Sequence, residues 1–206
     1  MRDLKQRLGR SYARLATNVA VRFPRLWPLV RPLVRKQFDV LAPVWDSMRS
    51  PDAFAPLEAA LGAVDGPVEA ALDVGTGTGG AALEIAERFP VASVVGVDIA
   101  PAMVERARQK AGGRENLSFA LGDASALPFG DASFDLVVAA NMIPFFDELA
   151  RLVRNGGSLV IAFSLGPQTP IYVPFDRVRE ELADRGFAEF AEIEAGRGSA
   201  LVARKR

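Results

Sequence analysis

A short glycine-rich loop with one acid at its start carries the residues best suited to chemistry in this sequence. Gly75, Gly77 and Gly80 follow the spacing GxGxxG, directly after an apolar stretch that ends in Asp73 and Val74. Glycine lets a backbone turn sharply and approach a ligand closely, and the N-terminus of a following helix favours an anion. The pattern therefore predicts a cofactor site of the nucleotide-binding kind.

Two acids narrow the choice of cofactor, because the glycines alone fit NAD and S-adenosylmethionine (SAM) almost equally. Asp98 ends the next apolar run about 20 residues later, where an acid that binds a ribose belongs. Asp73 lies two residues before the first glycine, where a carboxylate repels a pyrophosphate but accepts hydrogen bonds from an ammonium. SAM carries an ammonium and no phosphate, so Asp73 favours SAM and leaves an NAD-dependent oxidoreductase as a weak alternative.

Composition limits the chemistry further. The chain of 206 residues contains no cysteine and no histidine. Disulfides, thiolate nucleophiles and cysteine-ligated zinc are therefore excluded, and the commonest general base is absent. Any proton transfer must use a carboxylate, Tyr, Lys or the substrate itself, so we assign no catalytic residue and expect no metal site.

The elements that must position these residues alternate between strand and helix. Apolar runs predict strands at about 68–74, 93–98, 117–121, 134–140 and 157–164, and helical patterns fall at about 79–89, 101–112, 145–154 and 174–185. Two final β-like runs, 187–194 and 199–203, are too close together for a crossover helix, so they predict an antiparallel hairpin. The fold class is α/β, a Rossmann-like, doubly wound, mostly parallel seven-stranded sheet preceded by N-terminal helices.

The N-terminal segment differs from the rest in charge. Residues 1–36 hold ten Arg or Lys and one acid, which gives about +9 there and about −9 in the remainder. A first helix would align Leu4, Leu8, Tyr12, Leu15 and Val19 on one side, and prolines at 24, 28 and 32 predict a break in regular structure. This cationic arm either packs on the domain, lies on an anionic membrane surface or meets an acidic partner, with nucleic acid disfavoured.

Five motifs in order give the sequence a family resemblance. It resembles the class I SAM-dependent methyltransferases, and within them the branch of the ubiquinone and menaquinone methyltransferases (methyltransferase type 11), over roughly residues 37–165. The motifs are Asp73-Val-Gly75-Thr-Gly77-Thr-Gly79, Val95-Gly-Val-Asp98-Ile-Ala-Pro-Ala-Met103, Gly122-Asp123-Ala124-Ser-Ala-Leu-Pro-Phe129, Ser133-Phe-Asp-Leu-Val-Val138 and Asn155-Gly-Gly-Ser-Leu159.

The resemblance implies a role for each motif in holding SAM. Asp73 attracts the ammonium, Asp98 takes both ribose hydroxyls, and Asp123 accepts from the adenine amine. Backbone amides around the glycines bind the carboxylate, Ile99 and Met103 pack on the adenine, and the Ala124 amide donates to a ring nitrogen. The full expected set is Asp73, Gly75, Thr76, Gly77, Gly79, Asp98, Ile99, Met103, Asp123, Ala124 and Asn141.

Fewer residues indicate where the methyl acceptor binds. Trp45 falls where relatives place an aromatic in a covering helix, in a pattern matched by Phe38-Asp39 and Trp45-Asp46. Asn141 follows the fourth strand and would line the methyl-transfer site. The residues expected to contact the acceptor are Trp45, Phe145, Phe146 and Tyr172.

These features predict a methyltransferase that uses SAM to methylate carbon or oxygen of a small, lipophilic acceptor. We divide the chain into a basic amphipathic arm (1–36), a helical lid segment (37–66) and a SAM-binding domain (67–206). With no apolar run of membrane-spanning length and no signal peptide, we expect a cytoplasmic protein, peripheral to the inner membrane face if the arm binds lipid. The alternative is a SAM-binding protein without turnover that acts as a binding module through its arm.

Overall fold

The computed structural model describes residues 23–206, except for the side chain of Pro24. The helix predicted from Leu4 to Val19, and most of the basic arm, lie outside the described residues. Within them, strands and helices alternate from residue 70 onward, except that the fourth strand directly follows the third and the seventh directly follows the sixth.

One seven-stranded sheet forms the centre of residues 23–206, with the strand order β3-β2-β1-β4-β5-β7-β6. All neighbouring strands are parallel except that β7 runs antiparallel to both β5 and β6. This confirms the doubly wound sheet and its terminal hairpin. The strands are β1 (Ala70–Val74), β2 (Ser93–Asp98), β3 (Leu117–Leu121), β4 (Phe134–Ala140), β5 (Val153–Phe163), β6 (Phe187–Ala195) and β7 (Gly198–Lys205).

Helices cover both faces of the sheet, which is why the central strands are mostly apolar. In β1, Ala71 packs into the core on one face, whereas Leu72 and Val74 pack into the core on the other. The helices are α1 (Trp27–Leu41), α2 (Ala55–Gly62), α3 (Gly80–Arg88), α4 (Pro101–Ala111), α5 (Phe146–Leu152) and α6 (Phe175–Ala183).

The terminal hairpin turns tightly between β6 and β7. Ala195 pairs with Gly198, so only two residues lie between the strands. Gly196 has φ +58°, a left-handed conformation that suits the first position of such a turn and favours glycine. A crossover helix has no room here, as the spacing predicted.

The start of β5 is one difference from the predicted elements. β5 begins at Val153 rather than near residue 157, because Val153 pairs with Phe134 and the register then shifts before Leu136. An irregularity of this kind lets Gly156, with φ +74°, sit inside the strand. The preceding helix α5 is correspondingly short.

The other difference is α1, because the predicted break in regular structure at the prolines is wrong. α1 runs without interruption from Trp27 to Leu41 although it contains Pro28 and Pro32. Pro28 stands in the first turn, where a backbone N–H has no partner within the helix, so its missing donor costs little. Pro32 removes one hydrogen bond, and the packing of Trp27 and Val34 on the domain compensates for it.

Helix α1 also crosses the proposed boundary between residues 36 and 37, so the described end of the arm and the start of the lid segment form one continuous element. Two 3₁₀ turns, Ala42–Val44 and Asp46–Met48, carry the chain from α1 toward α2. Within residues 23–206, no helix has the length and apolar character needed to span a membrane.

Candidate functional site

Three acids meet where neighbouring parallel strands end. Asp73 lies in β1, Asp98 ends β2, and Asp123 follows β3 by two residues. The strands are in close register there, since Asp73 pairs with Gly96 and Asp98 pairs with Leu121. Because carboxyl ends of parallel strands share one edge of the sheet, the three acids named by the sequence lie at one site.

The glycine loop connects β1 to α3. The amides of Gly75 and Thr76 both donate to the Val97 carbonyl, at 2.8 and 2.9 Å, and the Gly77 amide donates to Asp98 Oδ2 at 2.9 Å. Gly75 and Gly77 have φ values of +72° and +55°, which this tight course requires. The amides expected to bind a carboxylate therefore donate within the protein, and that group needs other donors.

Asp73 is the most unusual of the three acids. Its Oδ2 accepts from Thr76 Oγ1 at 2.6 Å, whereas its buried Oδ1 finds no hydrogen-bond partner among the described residues. Burial raises the pKa of Asp73 from 3.8 to about 7, against the opposing effects of Thr76 and the Arg49 cation. A buried acceptor without a donor is costly unless a ligand supplies one.

Asp98 is held by backbone groups. Its two oxygens accept from the amides of Gly77 and Ala100, at 2.9 and 2.8 Å. Burial raises the pKa of Asp98, although these amides favour the charged form. The amides fix the orientation of the carboxylate and leave it further acceptor positions, since a carboxylate offers about four.

Asp123 is bound by helix α1. The indole Nε1 of Trp27 donates to Oδ1 at 2.9 Å, and Arg31 donates to Oδ2 at 2.8 Å. Ser125 adds its backbone amide and its hydroxyl to Oδ1, at 3.0 and 2.8 Å. Burial alone would raise the pKa of Asp123, but these donors outweigh it, and the pKa lies below its usual value.

The segment between α1 and α2 covers the glycine loop. The Trp45 ring packs edge-on against Phe38, with ring centroids 5.4 Å apart, and its Nε1 lies 3.3 Å from where a side chain on Gly77 would begin. In the described part of the chain, this buried Nε1 has no acceptor. Arg49 lies over the rings of Trp45 and Phe54, at 5.8 and 4.9 Å, and burial lowers its pKa.

These groups fit the amino-acid end of SAM. Asp73 offers an unused acceptor for an ammonium, while Trp45 and Arg49 offer a donor and a cation for a carboxylate. A Cβ at Gly77 would fill the narrow space between the loop and Trp45, so glycine is needed there. A pyrophosphate would meet the Asp73 carboxyl instead.

The remaining residues predicted to bind the cofactor lie in different surroundings. Ile99 and Ala124 pack at the edge of the cluster formed by Trp27, Val34 and Phe145, beside Asp123. Met103 is fully buried in a small core with Ala42 and Ala100, while Gly79 caps α3. Asn141, with φ +52°, uses its side-chain oxygen to accept from the amide and hydroxyl of Ser164, at 2.9 and 3.0 Å.

The four residues predicted to contact the acceptor do not form one surface. Trp45 lies over the glycine loop, and Phe145 packs edge-on against Trp27 with ring centroids 5.0 Å apart. Phe146, the first residue of α5, is buried in the core, with the Arg185 guanidinium 6.0 Å from its ring centroid. Tyr172 packs against Phe163 and Phe175, and no described contact joins it to the three acids.

Residues that the sequence did not single out also belong to this site. Arg49, Trp27 and Arg31 reach it from the N-terminal helices, and Met142 approaches within 2.9 Å of where a Cβ on Gly75 would lie. Arg49 follows Trp45 by four positions, one helical turn, which is the one local signal that pointed to it. No local pattern marks Trp27 or Arg31, because their partner is more than 90 residues away.

Comparison with known proteins agrees with the geometry. A family described as a methyltransferase domain matches residues 71–157. The demethylmenaquinone methyltransferase of Thermus thermophilus is 42% identical over 137 residues, which are 60% of this chain and 62% of that protein. The malonyl-[acyl-carrier protein] O-methyltransferase of Legionella pneumophila is 37% identical over 105 residues, 48% of this chain and 37% of that protein.

Among solved structures, a SAM-dependent methyltransferase from Aquifex aeolicus superposes with a TM-score of 0.65 at 21% identity, over 79% of this chain and 97% of that one. That likeness supports the fold. The two sequence relatives are each matched over less than two thirds of their own length. The match over residues 71–157, together with the strand order and the ordered motifs, shows that the chain contains a class I SAM-dependent methyltransferase domain.

Proposed function

We propose that this chain is an active SAM-dependent methyltransferase whose acceptor is small and lipophilic, methylated on carbon or oxygen. The observation that carries the proposal is the unpartnered, buried Oδ1 of Asp73 beside the glycine loop. An acid in this position suits a cofactor with an ammonium, and two further acids stand at the ends of β2 and β3 for a nucleoside.

Each part of SAM has proposed partners in this chain. Asp73 holds the ammonium, while Arg49 and the Trp45 indole N–H hold the carboxylate in place of the loop amides. Asp98 binds the ribose hydroxyls, and Asp123 faces the adenine amine. Thr76 orients Asp73 through its 2.6 Å hydrogen bond. The remaining proposed cofactor residues are Gly75, Gly77, Gly79, Ile99, Met103, Ala124 and Asn141.

The chemistry that SAM supplies when bound is an electrophilic methyl group on a sulfonium. The chain's own contribution is to align the acceptor, to exclude water and to neutralise charge. Trp45 and Met142 cover the glycine loop. Phe145, which packs against Trp27, adds apolar surface. This lining favours an acceptor with little polarity.

No described side chain is placed as a general base at this site. Asp46 accepts from Thr78 and Lys110, both at 2.6 Å, and Asp147 is exposed and paired with Arg185. Tyr172 packs away from the acids, and burial raises its pKa. We therefore propose an acceptor that brings its own acidic proton, such as a phenol or an enolisable carbon.

The outer side of α1 supports the proposal that the arm touches an anionic membrane. Leu29, Leu33 and Val40 lie within about 60° of one another around the helix. They are 74%, 58% and 70% exposed. Arg25 and Lys36 stand beside this stripe, as expected of a helix at a charged lipid surface. At such a surface the protein would take up a small lipophilic acceptor from the membrane.

The methyltransferase proposal is tested by incubating the chain with radiolabelled SAM and a lipid and metabolite extract, with a heat-denatured sample as the control. We expect label in an organic-soluble product. Binding of SAM without any labelled product, across extracts, would favour the SAM-binding module without turnover. Binding of NAD without any response to SAM would refute the proposal.

The membrane proposal is tested by flotation with anionic liposomes. The double variant Leu29→Glu/Leu33→Glu should no longer float, because it places charge in the stripe, whereas SAM binding should persist. Val91→Glu is a matched control, since Val91 is 86% exposed and lies between α3 and β2. A wild-type chain that never floats would refute membrane contact.

A further inference from the structure

Helix α1 holds Asp123 with two side chains from one face. Trp27 donates to Oδ1 at 2.9 Å and Arg31, one turn later, donates to Oδ2 at 2.8 Å. Trp27 is 4% exposed and packs edge-on against Phe145. Side chains of α1 therefore already bind the carboxylate that the proposed function assigns to the adenine amine.

Asp123 already accepts four hydrogen bonds, three on Oδ1 and one on Oδ2. A carboxylate has about four acceptor positions. Four donors face this one: Trp27, Arg31, and the amide and hydroxyl of Ser125. The Ser125 donors belong to the same turn as Asp123 and move with it. A further donor to Oδ1 must therefore displace Trp27, and a donor that approaches Oδ2 meets Arg31, so both compete with α1.

The ion pair between Arg31 and Asp123 can break at little cost in free energy. Arg31 is exposed to solvent over nearly half of its side chain, so its ion pair with Asp123 contributes little. A cavity of about 620 Å³ lies between α1 and the ends of β2 and β3, lined in part by Arg31, Ile99, Gly122 and Asp123. The Arg31 side chain therefore has space beside it into which it can move away from Asp123.

We propose that α1 is a latch that competes with SAM. Trp27 and Arg31 bind Asp123 in the ligand-free protein, and SAM binds when these two hydrogen bonds break. The proposal rests on the proposed function, because it needs SAM at Asp123. The apparent affinity for the cofactor is then the intrinsic affinity reduced by the fraction of molecules that are unlatched. Changes that weaken the latch raise that fraction.

The test is calorimetric titration with S-adenosylhomocysteine (SAH), which shares the adenosine and amino-acid parts of SAM. Trp27→Phe keeps an aromatic ring against Phe145 but lacks the N–H donor, and Arg31→Gln removes the cation. Each should lower the Kd for SAH about three- to tenfold. Arg35→Gln is the matched control, because Arg35 lies one turn after Arg31 on α1, is half exposed and pairs with Asp39 at 3.9 Å rather than with Asp123, so its loss should leave the Kd unchanged.

A second measurement follows the helix itself. The sequence has two tryptophans, so the Trp45→Phe variant reports on Trp27 alone. Because this change also removes a proposed donor to the cofactor carboxylate, the variant is titrated to saturation with SAH. Adding SAH should shift its emission to longer wavelength as Trp27 leaves its buried place. An unchanged or higher Kd in Trp27→Phe, or SAH binding with unmoved Trp27 emission, would overturn the latch while leaving the proposed function intact. If folded wild-type and variant proteins all fail to bind SAH, the proposed function fails and the latch with it.

Discussion

Asp73 should release a proton when the cofactor binds. Its carboxyl group is buried, and its pKa in the ligand-free protein is about 7. The ammonium of a bound cofactor stabilises the carboxylate and draws the pKa down. The carboxyl group must therefore lose its proton in every molecule that was protonated before binding.

The size of this effect follows from the pKa. About 0.9 of a proton should be released per SAH bound at pH 6, and about 0.25 at pH 7.5, while affinity rises about eightfold between these values. Titrations at each pH in buffers of different ionisation enthalpy give the proton count directly. The absence of histidine removes the residue type that would otherwise titrate in this range.

Asp73→Asn provides the control. It cannot lose a proton, so the proton count and the pH dependence of affinity should both disappear, and binding should be weaker at pH 7.5. Burial also raises the pKa of Asp98, and Asp98→Asn distinguishes the two acids because it should retain the pH dependence. A wild-type proton count near zero at pH 6 would refute the role of Asp73.

The same pKa has a consequence for stability. Because the folded pKa lies above the unfolded value of 3.8, the stabilising effect of protonated Asp73 is complete below pH 3.8 and is lost as pH rises through about 7. The loss is on the order of 4 kcal/mol for the ligand-free protein. Urea unfolding should show the wild type losing stability from pH 5 to pH 8 relative to Asp73→Asn; parallel curves would contradict this.

Three further changes test other parts of the structure. Arg49→Met removes the cation above the glycine loop and should weaken SAH binding about tenfold by calorimetry, and Arg49→Lys should restore part of it; unchanged affinity would exclude Arg49 from the site. Gly79→Ala, at φ +82° and with its new methyl 3.0 Å from the Ala107 Cβ, should lower the free energy of unfolding by about 1 to 3 kcal/mol in urea, and wild-type stability would show that the loop can adapt. Leu136→Ala, fully buried in β4, should lower it by about 2 to 5 kcal/mol, and a smaller loss would mean that the core refills the cavity.

The fold could be predicted from the sequence because its signals are local. Apolar runs such as Leu136 to Ala140 leave few alternatives to a buried strand, and the short gap at Gly196 requires a hairpin. Spacing along the chain indicated Asp73 and Asp98, and the family resemblance added Asp123. Each of these inferences needs only a few neighbouring residues.

The features that could not be predicted from the sequence depend on contacts between distant segments. The prolines of α1 predicted a break, yet Trp27 packs on Phe145 and the helix continues. The same packing brings Trp27 to Asp123, a contact across 96 positions that no local pattern encodes. The loop amides were expected to face a ligand, and only the placement of Val97 and Asp98 shows that they donate within the protein.

The most direct measurement compares SAH binding by wild-type protein and by Asp98→Ala, with Asp176→Ala as a control because that acid is almost fully exposed. Circular dichroism verifies that all three are folded. If the cofactor lies across the ends of β1, β2 and β3, Asp98→Ala loses two charge-assisted hydrogen bonds to the ribose and its Kd rises about 100-fold, while Asp176→Ala binds as the wild type does. A folded Asp98→Ala protein with the wild-type Kd would contradict this placement.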